Sequence, residues 1–262
     1  MNYYNGKTIL ITGASSGIGE AFALTLDKLG AKLILTARSK DKLVDMASNM
    51  NNAISIAGDL SKKEFAQSLY DEIKDKKIEV DIVINNAGYG FSGLFLDSSM
   101  KNYDEMMNLN MYSLVNLTHL FLKDMVNKKS GGIINISSLA SFQPMPFFSI
   151  YAATKAFVTS FTVSLYEEYR KSGIKVLGVC PGYTKTNFNK RAQMNSIPVA
   201  GYLMTSQQVV NQSLRAYEKG KFIIVNGKIN KFFRFITSII PTRLSLAFSS
   251  YVIKKGMSNK QW

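Results

Sequence analysis

Two side chains four residues apart, Tyr151 and Lys155, could form an acid–base pair. Residues at positions i and i+4 share a helix face, so a phenol and an ammonium at this spacing can point into one site. A phenol that exchanges protons near neutrality needs its pKa lowered from about 10 to about 7, which corresponds to roughly 4 kcal/mol. One ammonium about 4 Å away supplies an interaction of that order at an effective dielectric constant near 20. The pair therefore predicts proton transfer by Tyr151, with Lys155 lowering its pKa.

The Tyr-x-x-x-Lys spacing occurs five times in this chain, so placement must distinguish the pairs. Only Tyr151 follows an apolar run that ends in Asn135-Ile136-Ser137-Ser138, and only Tyr151 opens a long Ala- and Thr-rich helical pattern. We expect the remaining pairs to be surface pairs: Tyr3/Lys7, Tyr70/Lys74, Tyr217/Lys221 and Tyr251/Lys255.

A glycine-rich segment near the start of the chain, Thr12–Gly19 (TGASSGIG), lies between an apolar run and a helical pattern. Glycines allow a sharp turn and let the backbone approach a pyrophosphate closely. The helix that follows presents free N–H groups and the positive end of its dipole. This arrangement predicts a dinucleotide site, and the alternative is a tight structural turn.

The end of the second predicted strand selects the dinucleotide. An acidic residue there would bind the adenosine ribose 2′-hydroxyl, whereas an arginine accepts a 2′-phosphate. The chain reads Thr36-Ala37-Arg38-Ser39, with no acid. Arg38 can bind a phosphate through charge-assisted hydrogen bonds, so NADP(H) is expected rather than NAD(H). The alternative is that Arg38 is a solvated strand-end residue.

The elements that must position these residues alternate along the chain. Near-continuous apolar strands separated by helical patterns are typical of a parallel sheet covered on both faces, and ligands bind beyond the carboxyl ends of its strands. We predict a single-domain, doubly wound (Rossmann-type), mostly parallel seven-stranded α/β sheet followed by a C-terminal helical extension. The predicted strands are 7–12, 32–36, 53–57, 80–84, 133–136, 175–180 and 222–225, with helices near 17–30, 40–50, 61–75, 103–129, 150–172 and 205–219.

The composition excludes several classes of protein. The 262 residues are 46% hydrophobic and 19% charged, which excludes a disordered chain. The only cysteine, Cys180, excludes an internal disulfide, and the only histidine, His119, excludes a His-rich zinc site, so no metal is expected. No apolar run approaches the length of a spanning helix, and strand-like sequence from Lys7 leaves no room for a signal peptide. A cytoplasmic location is therefore expected.

The positive charge is concentrated in the last third of the chain. Residues 1–168 hold 16 Lys/Arg and 17 Asp/Glu, whereas residues 169–262 hold 16 Lys/Arg and one acid, Glu218. Solvated lysines, an anionic membrane surface, or an acidic substrate or carrier would each account for this. No recognised nucleic-acid motif is present, so nucleic acid is not an expected partner.

Residues 227–255 resemble two amphipathic helices separated by Pro241. We therefore predict a catalytic unit over 1–226 and a basic amphipathic tail over 227–262. Such a tail can lie in a lipid interface through residues 228–262, pack on the protein's own body or over the active-site entrance, or form a subunit interface.

The chain resembles the short-chain dehydrogenase/reductase family. Seven matching motifs occur in family order over residues 7–186: Thr12–Gly19, Asp59-Leu60, Asn85-Asn86-Ala87-Gly88, Asn110, Ser138, Tyr151-x-x-x-Lys155 and Pro181-Gly182. The resemblance implies that Tyr151 is the general acid in reduction and the base in oxidation. Lys155 would hold the nicotinamide ribose, Ser138 would orient the substrate carbonyl, and Asn110 would hold a water in a proton relay.

The resemblance also implies the residues that bind the cofactor. NADP-preferring members often carry a basic residue where this chain has Ser16, so the preference depends on Arg38. The expected NADP(H)-binding residues are Gly13, Ser15, Ser16, Gly17, Ile18, Gly19, Arg38, Ser39, Asp59, Leu60, Asn86, Ala87, Gly88, Tyr151, Lys155, Pro181, Gly182, Thr184 and Thr186.

The expected function is NADP(H)-dependent interconversion of a carbonyl and a secondary alcohol by hydride transfer. Met145, Met194, Met204 and nearby phenylalanines (Phe142, Phe147 and Phe148) suggest an apolar small-molecule substrate. One alternative is a 3-oxoacyl (CoA or carrier-protein) reductase of lipid metabolism. Another is a non-catalytic dinucleotide-binding sensor or membrane-surface scaffold. Helices 103–129 and 150–172 resemble those that form dimers and tetramers in the family, so a homodimer or homotetramer is expected.

Overall fold

The computed structural model describes residues 2–192, 194 and 203–256. Among these residues the main sheet has seven strands, and every neighbouring pair is parallel. The strands are β1 (Thr8–Thr12), β2 (Lys32–Ala37), β3 (Ala53–Ala57), β4 (Ile82–Asn85), β5 (Gly131–Ile136), β6 (Ile174–Cys180), β7 (Thr184–Lys185), β8 (Met204–Thr205) and β9 (Ile223–Val225). The main sheet has the order β3-β2-β1-β4-β5-β6-β9, and β7 pairs with β8 separately. The predicted doubly wound sheet is confirmed.

Helices cover both faces of this sheet. They are α1 (Gly17–Lys28), α2 (Lys40–Ser48), α3 (Phe65–Asp75), α4 (Met100–Met107), α5 (Ser113–Lys128), α6 (Ser149–Tyr169), α7 (Phe188–Arg191), α8 (Ser206–Glu218), α9 (Lys228–Ile239) and α10 (Thr242–Gly256). Because successive strand residues point to opposite faces, Ile9 and Ile11 pack with α1, α2 and α8, whereas Leu10 packs with α3, α5 and α6. Two apolar layers therefore hold the sheet.

The helix predicted over 103–129 is not continuous. A π-helical turn, Asn108–Tyr112, separates α4 from α5. The turn carries the buried Asn110, whose amide bonds both the backbone of Tyr89 and the side chain of Thr154. Single π-turns are frequent at functional sites, and this one places a polar side chain against the loop after β4.

A ladder of buried amides and hydroxyls connects α6 to the sheet. Asn85 Nδ2 donates to Asn135 Oδ1 at 2.9 Å, and Asn135 Nδ2 donates to Thr162 Oγ1 at 2.9 Å. Buried polar groups are costly unless paired, so these bonds specify how α6 sits on β4 and β5. The helix that carries Tyr151 is thereby held in place.

The expectation of a surface pair is wrong for Tyr217. Its side chain is only 1% exposed and packs edge-on against Tyr3, with the rings 6.0 Å apart. Lys175 lies over the Tyr217 ring at 5.7 Å. Tyr217 belongs to the apolar face of α8, which the i+4 spacing to a lysine does not reveal.

Candidate active site

The glycine loop between β1 and α1 leaves no room for side chains. Gly13 and Gly17 have φ values of +63° and +62°, which L-residues rarely adopt. A Cβ at Gly13 would lie 2.9 Å from Asn86 Nδ2, and a Cβ at Gly19 would lie 2.5 Å from the same atom. Asn86 Nδ2 is itself fixed, because it donates to the carbonyl oxygen of Thr12 at 2.9 Å. The loop thus forms a close-packed cradle at the N-terminus of α1, where backbone N–H groups suit a phosphate.

Candidate binding residues follow β2 and β3, the two strands on one side of β1 in the sheet. Arg38 and Ser39 come directly after β2, Asp59 and Leu60 follow β3, and all four line one end of the cavity described below. The Asp59 carboxylate accepts a hydrogen bond from the backbone N–H of Ser61 at 3.0 Å. In the part of the chain that the structure describes, no carboxylate forms an ion pair with Arg38. Its guanidinium therefore offers a positive charge to an anionic ligand.

Ser138, Tyr151 and Lys155 meet at the centre of the cavity. Tyr151 and Lys155 lie on the first turns of α6, and Ser138 follows β5. The Lys155 ammonium nitrogen is 5.8 Å from the centre of the Tyr151 ring and donates to the Ile136 carbonyl at 2.9 Å. The Ser138 hydroxyl hydrogen-bonds the phenol and accepts from the Ala140 N–H at 3.1 Å. This arrangement presents two hydroxyl donors and one amine to a common space.

Burial, not the neighbouring ammonium, dominates the ionisation of this cluster. Burial raises the pKa of Tyr151 to about 12, and the hydrogen bond from Ser138 offsets only part of that rise. Burial lowers the pKa of Lys155 to about 8. Lys155 is not among the groups that shift the pKa of Tyr151 here, so a lowering of that pKa by Lys155 stays a prediction. The phenol ring is covered by Phe148 at 4.4 Å and Phe188 at 5.3 Å, so losing its proton is costly.

Asn110 lies behind this cluster. Its Nδ2 donates to the carbonyl of Tyr89 at 2.9 Å and to Thr154 Oγ1 at 3.0 Å, while its Oδ1 accepts from the Tyr89 N–H at 3.1 Å. A Cβ at Gly88 would lie 3.0 Å from Asn110 Oδ1 and 3.3 Å from Lys155 Nζ. The side chain thus holds segment 88–89 against Lys155. Both Nδ2 hydrogens are engaged, so a water held by Asn110 would have to donate to its Oδ1 or to its backbone carbonyl.

The segment after β6 closes the cavity opposite the glycine loop. A Cβ at Gly17 would lie 3.1 Å from Thr186 Cγ2, so the two segments nearly touch. The Thr184 hydroxyl donates to the Gly182 carbonyl at 3.0 Å, and Thr186 Oγ1 accepts from the Phe188 N–H at 3.2 Å. With both hydroxyl groups engaged locally, the segment forms a rigid edge beside Tyr151.

These elements enclose a cavity of about 790 Å³, within the range of cofactor and ligand sites. Two of the expected residues, Gly19 and Asn110, lie behind its wall. The expected residues that line it are Gly13, Ser15, Ser16, Gly17, Ile18, Arg38, Ser39, Asp59, Leu60, Asn86, Ala87, Gly88, Ser138, Tyr151, Lys155, Pro181, Gly182, Thr184 and Thr186. Within the described ranges, no group of three metal-ligating side chains could hold an ion.

Apolar and aromatic side chains line the cavity beyond Tyr151. Of the residues considered from sequence, Met145, Phe148 and Met194 contribute. Met204 instead packs at Gly227 and Asn230. Phe142 and Phe147 lie under the charged groups of Arg234 and Lys254, at 4.6 and 5.1 Å. Outside α9 and α10, sequence reasoning missed three lining aromatics: Tyr89, Tyr183 and Phe188.

Helices α9 and α10 form the remaining wall. The Ser245 hydroxyl donates to Gln143 Oε1 at 2.8 Å, and Phe233 stacks on Phe248 with ring centres 6.3 Å apart. Of the three arrangements open from sequence, the described residues show packing on the protein's own body. Sequence reasoning did not identify the lining residues that this packing adds: Asn230, Phe233, Arg234, Thr237, Phe248, Ser249, Tyr251, Val252 and Lys255.

Comparison with known proteins agrees with this geometry. Residues 7–197, well over half of the chain, match the family described as short chain dehydrogenase. The chain belongs to the short-chain dehydrogenase family. The family motifs recognised from sequence all lie within the matched range.

Two curated proteins are similar to this chain in sequence. The very-long-chain 3-oxoacyl-CoA reductase of Homo sapiens is 37% identical over 192 residues, which is 71% of this chain and 62% of the human protein. The chain thus spans less than two thirds of that relative's length. An uncharacterised oxidoreductase of Staphylococcus epidermidis is 31% identical over 215 residues, which is 78% of this chain and 94% of the relative.

A solved structure of a family member shares the architecture. The short-chain dehydrogenase from Sphingobium yanoikuyae, in complex with NADPH, is 28% identical to this chain and superimposes with a TM-score of 0.79. The match covers 90% of this chain and 96% of that protein. The sheet and its helices are therefore those of a known oxidoreductase fold.

Proposed function

We propose that this protein reduces a carbonyl compound to a secondary alcohol with NADPH as hydride donor. One observation supports this most directly: Ser138, Tyr151 and Lys155 converge in the same cavity as the glycine loop and Arg38. A dinucleotide-binding sensor or scaffold would need the loop, but it would not need two hydroxyl donors and an amine beside the substrate wall.

The glycine loop fits the pyrophosphate of a dinucleotide, because Gly13 and Gly17 turn the backbone tightly and line the cavity without a side chain. Arg38 would accept a 2′-phosphate, and this supports NADP(H) over NAD(H). The similarity to the Sphingobium yanoikuyae protein, solved with NADPH, supports the same choice. The remaining expected binding residues lie along the cavity between Arg38 and Tyr151.

The bound dinucleotide supplies the hydride, and the chain supplies orientation and protons. With a pKa of about 12, the Tyr151 phenol stays protonated near neutrality and acts as the acid that protonates the carbonyl oxygen. The Ser138 hydroxyl donates a second hydrogen bond to that oxygen as negative charge develops. Lys155 stabilises the phenolate that Tyr151 leaves behind. Asn110 is a positioning residue, since its amide fixes the backbone at Tyr89.

The cavity wall supports an apolar carbonyl substrate. A second candidate substrate class is 3-oxoacyl thioesters. The human relative's name supports it, as do the cations Arg191, Arg234 and Lys255 that line the cavity. A thioester of an anionic carrier would suit that charge.

Initial rates of NADPH oxidation over ketones, aldehydes, 3-oxoacyl-CoA esters and steroids would test the proposal. We expect turnover with at least one carbonyl class and its near-complete loss in Tyr151→Phe. Binding of NADPH without turnover of any carbonyl would favour the sensor or scaffold function instead. Equal turnover by Tyr151→Phe would contradict the role given to the phenol.

We also propose that the protein is a homodimer or homotetramer through α5 and α6. Tyr112, in the π-helical turn just before α5, and Phe157, on α6, are exposed. Phe157 stacks on Phe161 with ring centres 6.0 Å apart. We propose that the chain consists of a catalytic unit, 1–226, and a tail, 227–262. The surface of α5 and α6 then lies entirely within the catalytic unit. Light scattering during gel filtration would measure the assembly, and a monomer at micromolar concentration would contradict it.

A further inference from the structure

Helix α9 turns its polar side toward the protein and its apolar side toward solvent, which is the reverse of an ordinary surface helix. Its inward side carries Asn230, which is buried, together with Arg234 and Thr237, which line the cavity. Its outward side carries Phe232, Phe235 and Ile239, which are 61%, 60% and 61% exposed. A helix of a water-soluble domain normally buries its apolar side, so this outward face lacks the apolar neighbour that its residues favour.

Helix α10 also turns polar side chains toward the protein, beside the buried Ile253. Ser245 and Ser249 are buried and donate to Gln143 Oε1 and to the Pro144 carbonyl, at 2.8 and 3.4 Å. Leu244, Phe248 and Tyr251 are exposed on its other side. The two helices together present one outward apolar surface. We call it the outer face, and it comprises Phe232, Phe235, Ile239 and Leu244, with Phe248 and Tyr251 at its border with the cavity.

A separate segment extends the apolar character beside the cavity mouth. Leu96, in the turn after β4, is 89% exposed, and Leu94 and Phe95 beside it are also exposed. The neighbouring Gly93 N–H donates to the Phe147 carbonyl at 2.9 Å, and Lys254 of α10 lies over the Phe147 ring. Residues 94–96 therefore lie near the end of α10, because Gly93 and Lys254 both contact Phe147.

All charged side chains of α9 and α10 are positive. Helices α9 and α10 carry Lys228, Lys231, Arg234, Arg243, Lys254 and Lys255, with no acid, and residues 169–262 hold 16 basic residues against one acidic residue. None of the helices in the described part of the chain is long and apolar enough to cross a bilayer. Exposed aromatic and aliphatic side chains rimmed by cations are typical of helices that lie in the headgroup region of an anionic membrane.

We propose that the outer face docks on an anionic lipid bilayer and turns the mouth of the cavity toward it. The aromatic and aliphatic side chains insert among the acyl chains, and the surrounding lysines and arginines bind the headgroups. A carbonyl compound dissolved in the bilayer then reaches Tyr151 without crossing water. This consequence for the substrate rests on the proposed function, whereas the docking itself does not.

Sedimentation of the full chain with vesicles tests the docking without any turnover. We expect binding to phosphatidylcholine vesicles that contain phosphatidylglycerol, weak binding to phosphatidylcholine alone, and weaker binding at high salt. The triple variant Phe232→Ser/Phe235→Ser/Ile239→Ser should lose at least tenfold in partitioning. The matched control Leu24→Ser/Val44→Ser changes exposed apolar residues of α1 and α2 and should bind like the wild type. Equal loss in both variants, or no loss in the triple variant, overturns the proposal.

Charge variants and the oligomeric state distinguish a lipid bilayer from another copy of this chain as the partner of the outer face. Lys231→Gln and Arg243→Gln should each weaken partitioning about fivefold, because a basic residue near an anionic surface contributes about that factor. A wild type that does not bind vesicles, together with a triple variant that forms a smaller oligomer by light scattering, would make the outer face an interface between copies of this chain. In that case the proposal fails. NADPH oxidation with a short, water-soluble ketone should be unchanged in the triple variant. Absence of carbonyl turnover in the wild type, with its vesicle binding intact, would instead count against the proposed function.

Discussion

The pH dependence of carbonyl reduction should report the ionisation of Lys155 rather than that of Tyr151. The Tyr151 phenol, with a pKa of about 12, remains a proton donor throughout the physiological range. Lys155, with a pKa of about 8, changes charge within that range. Because the ammonium stabilises the phenolate formed when Tyr151 gives up its proton, the rate should fall as the pH rises through about 8.

The size of the effect follows from the ionised fraction. A base with a pKa of about 8 is about 90% protonated at pH 7 and about 10% protonated at pH 9, so the rate should drop about ninefold between these values. Lys155→Arg keeps a positive charge across the whole range, since the guanidinium pKa exceeds about 12. Its slower reaction should therefore lack the fall near pH 8. The exposed Lys123→Arg is the matched control and should keep the wild-type profile.

The assay is the initial rate of NADPH oxidation at saturating cofactor from pH 6 to pH 10, with binding of NADPH followed in parallel by fluorescence. A flat wild-type profile, or a fall near pH 8 that persists in Lys155→Arg, would refute the assignment to Lys155. A fall that tracks lost NADPH affinity would place the effect on binding instead of proton transfer.

Three further changes test the site. Tyr151→Phe should lower turnover by about 10²–10⁴-fold while NADPH titration still shows binding; activity near the wild-type level would show that another group donates the proton. Arg38→Gln should raise the KM for NADPH about 10–100-fold and leave that for NADH nearly unchanged, as expected for one lost charge-assisted contact; equal effects on both cofactors would contradict a 2′-phosphate site. Gly19→Ala gains about 1 kcal/mol of helix propensity, but the added methyl group overpacks against Asn86 and the Gly13 carbonyl at a cost of about 1–3 kcal/mol. Thermal unfolding should therefore show no stabilisation, and NADPH binding should weaken. A more stable variant with unchanged binding would show that the loop can shift.

The strands of the sheet were predictable from sequence because each is buried on two faces. Ile9, Leu10 and Ile11 pack into two different layers, so the chain must read as an unbroken apolar run there. The polar residues expected at the site follow such runs directly, and the parallel sheet brings them to one edge. Their roles in catalysis and cofactor binding remain predictions that the variants above address.

Other features depended on contacts that spacing does not encode. The pKa of Tyr151 reflects its cover by Phe148 and Phe188, and a pairwise estimate with Lys155 leaves that burial out. The π-helical turn at Asn110 depends on amide bonds to a distant loop. Helical periodicity predicted amphipathic helices over residues 227–255, but it did not show that Phe233 lines the cavity while Phe232 is exposed to solvent. Periodicity shows that a helix has two faces and cannot show which one meets the protein.

The wall that α9 and α10 add to the cavity comes after Val225, the final residue of the sheet. A chimaera joined just beyond Asn226 would exchange that wall in one step and keep the glycine loop, Arg38 and Tyr151 from the original parent. Homologous recombination at this junction is thus a simple route to new substrate ranges, because all residues proposed for hydride transfer come from one parent.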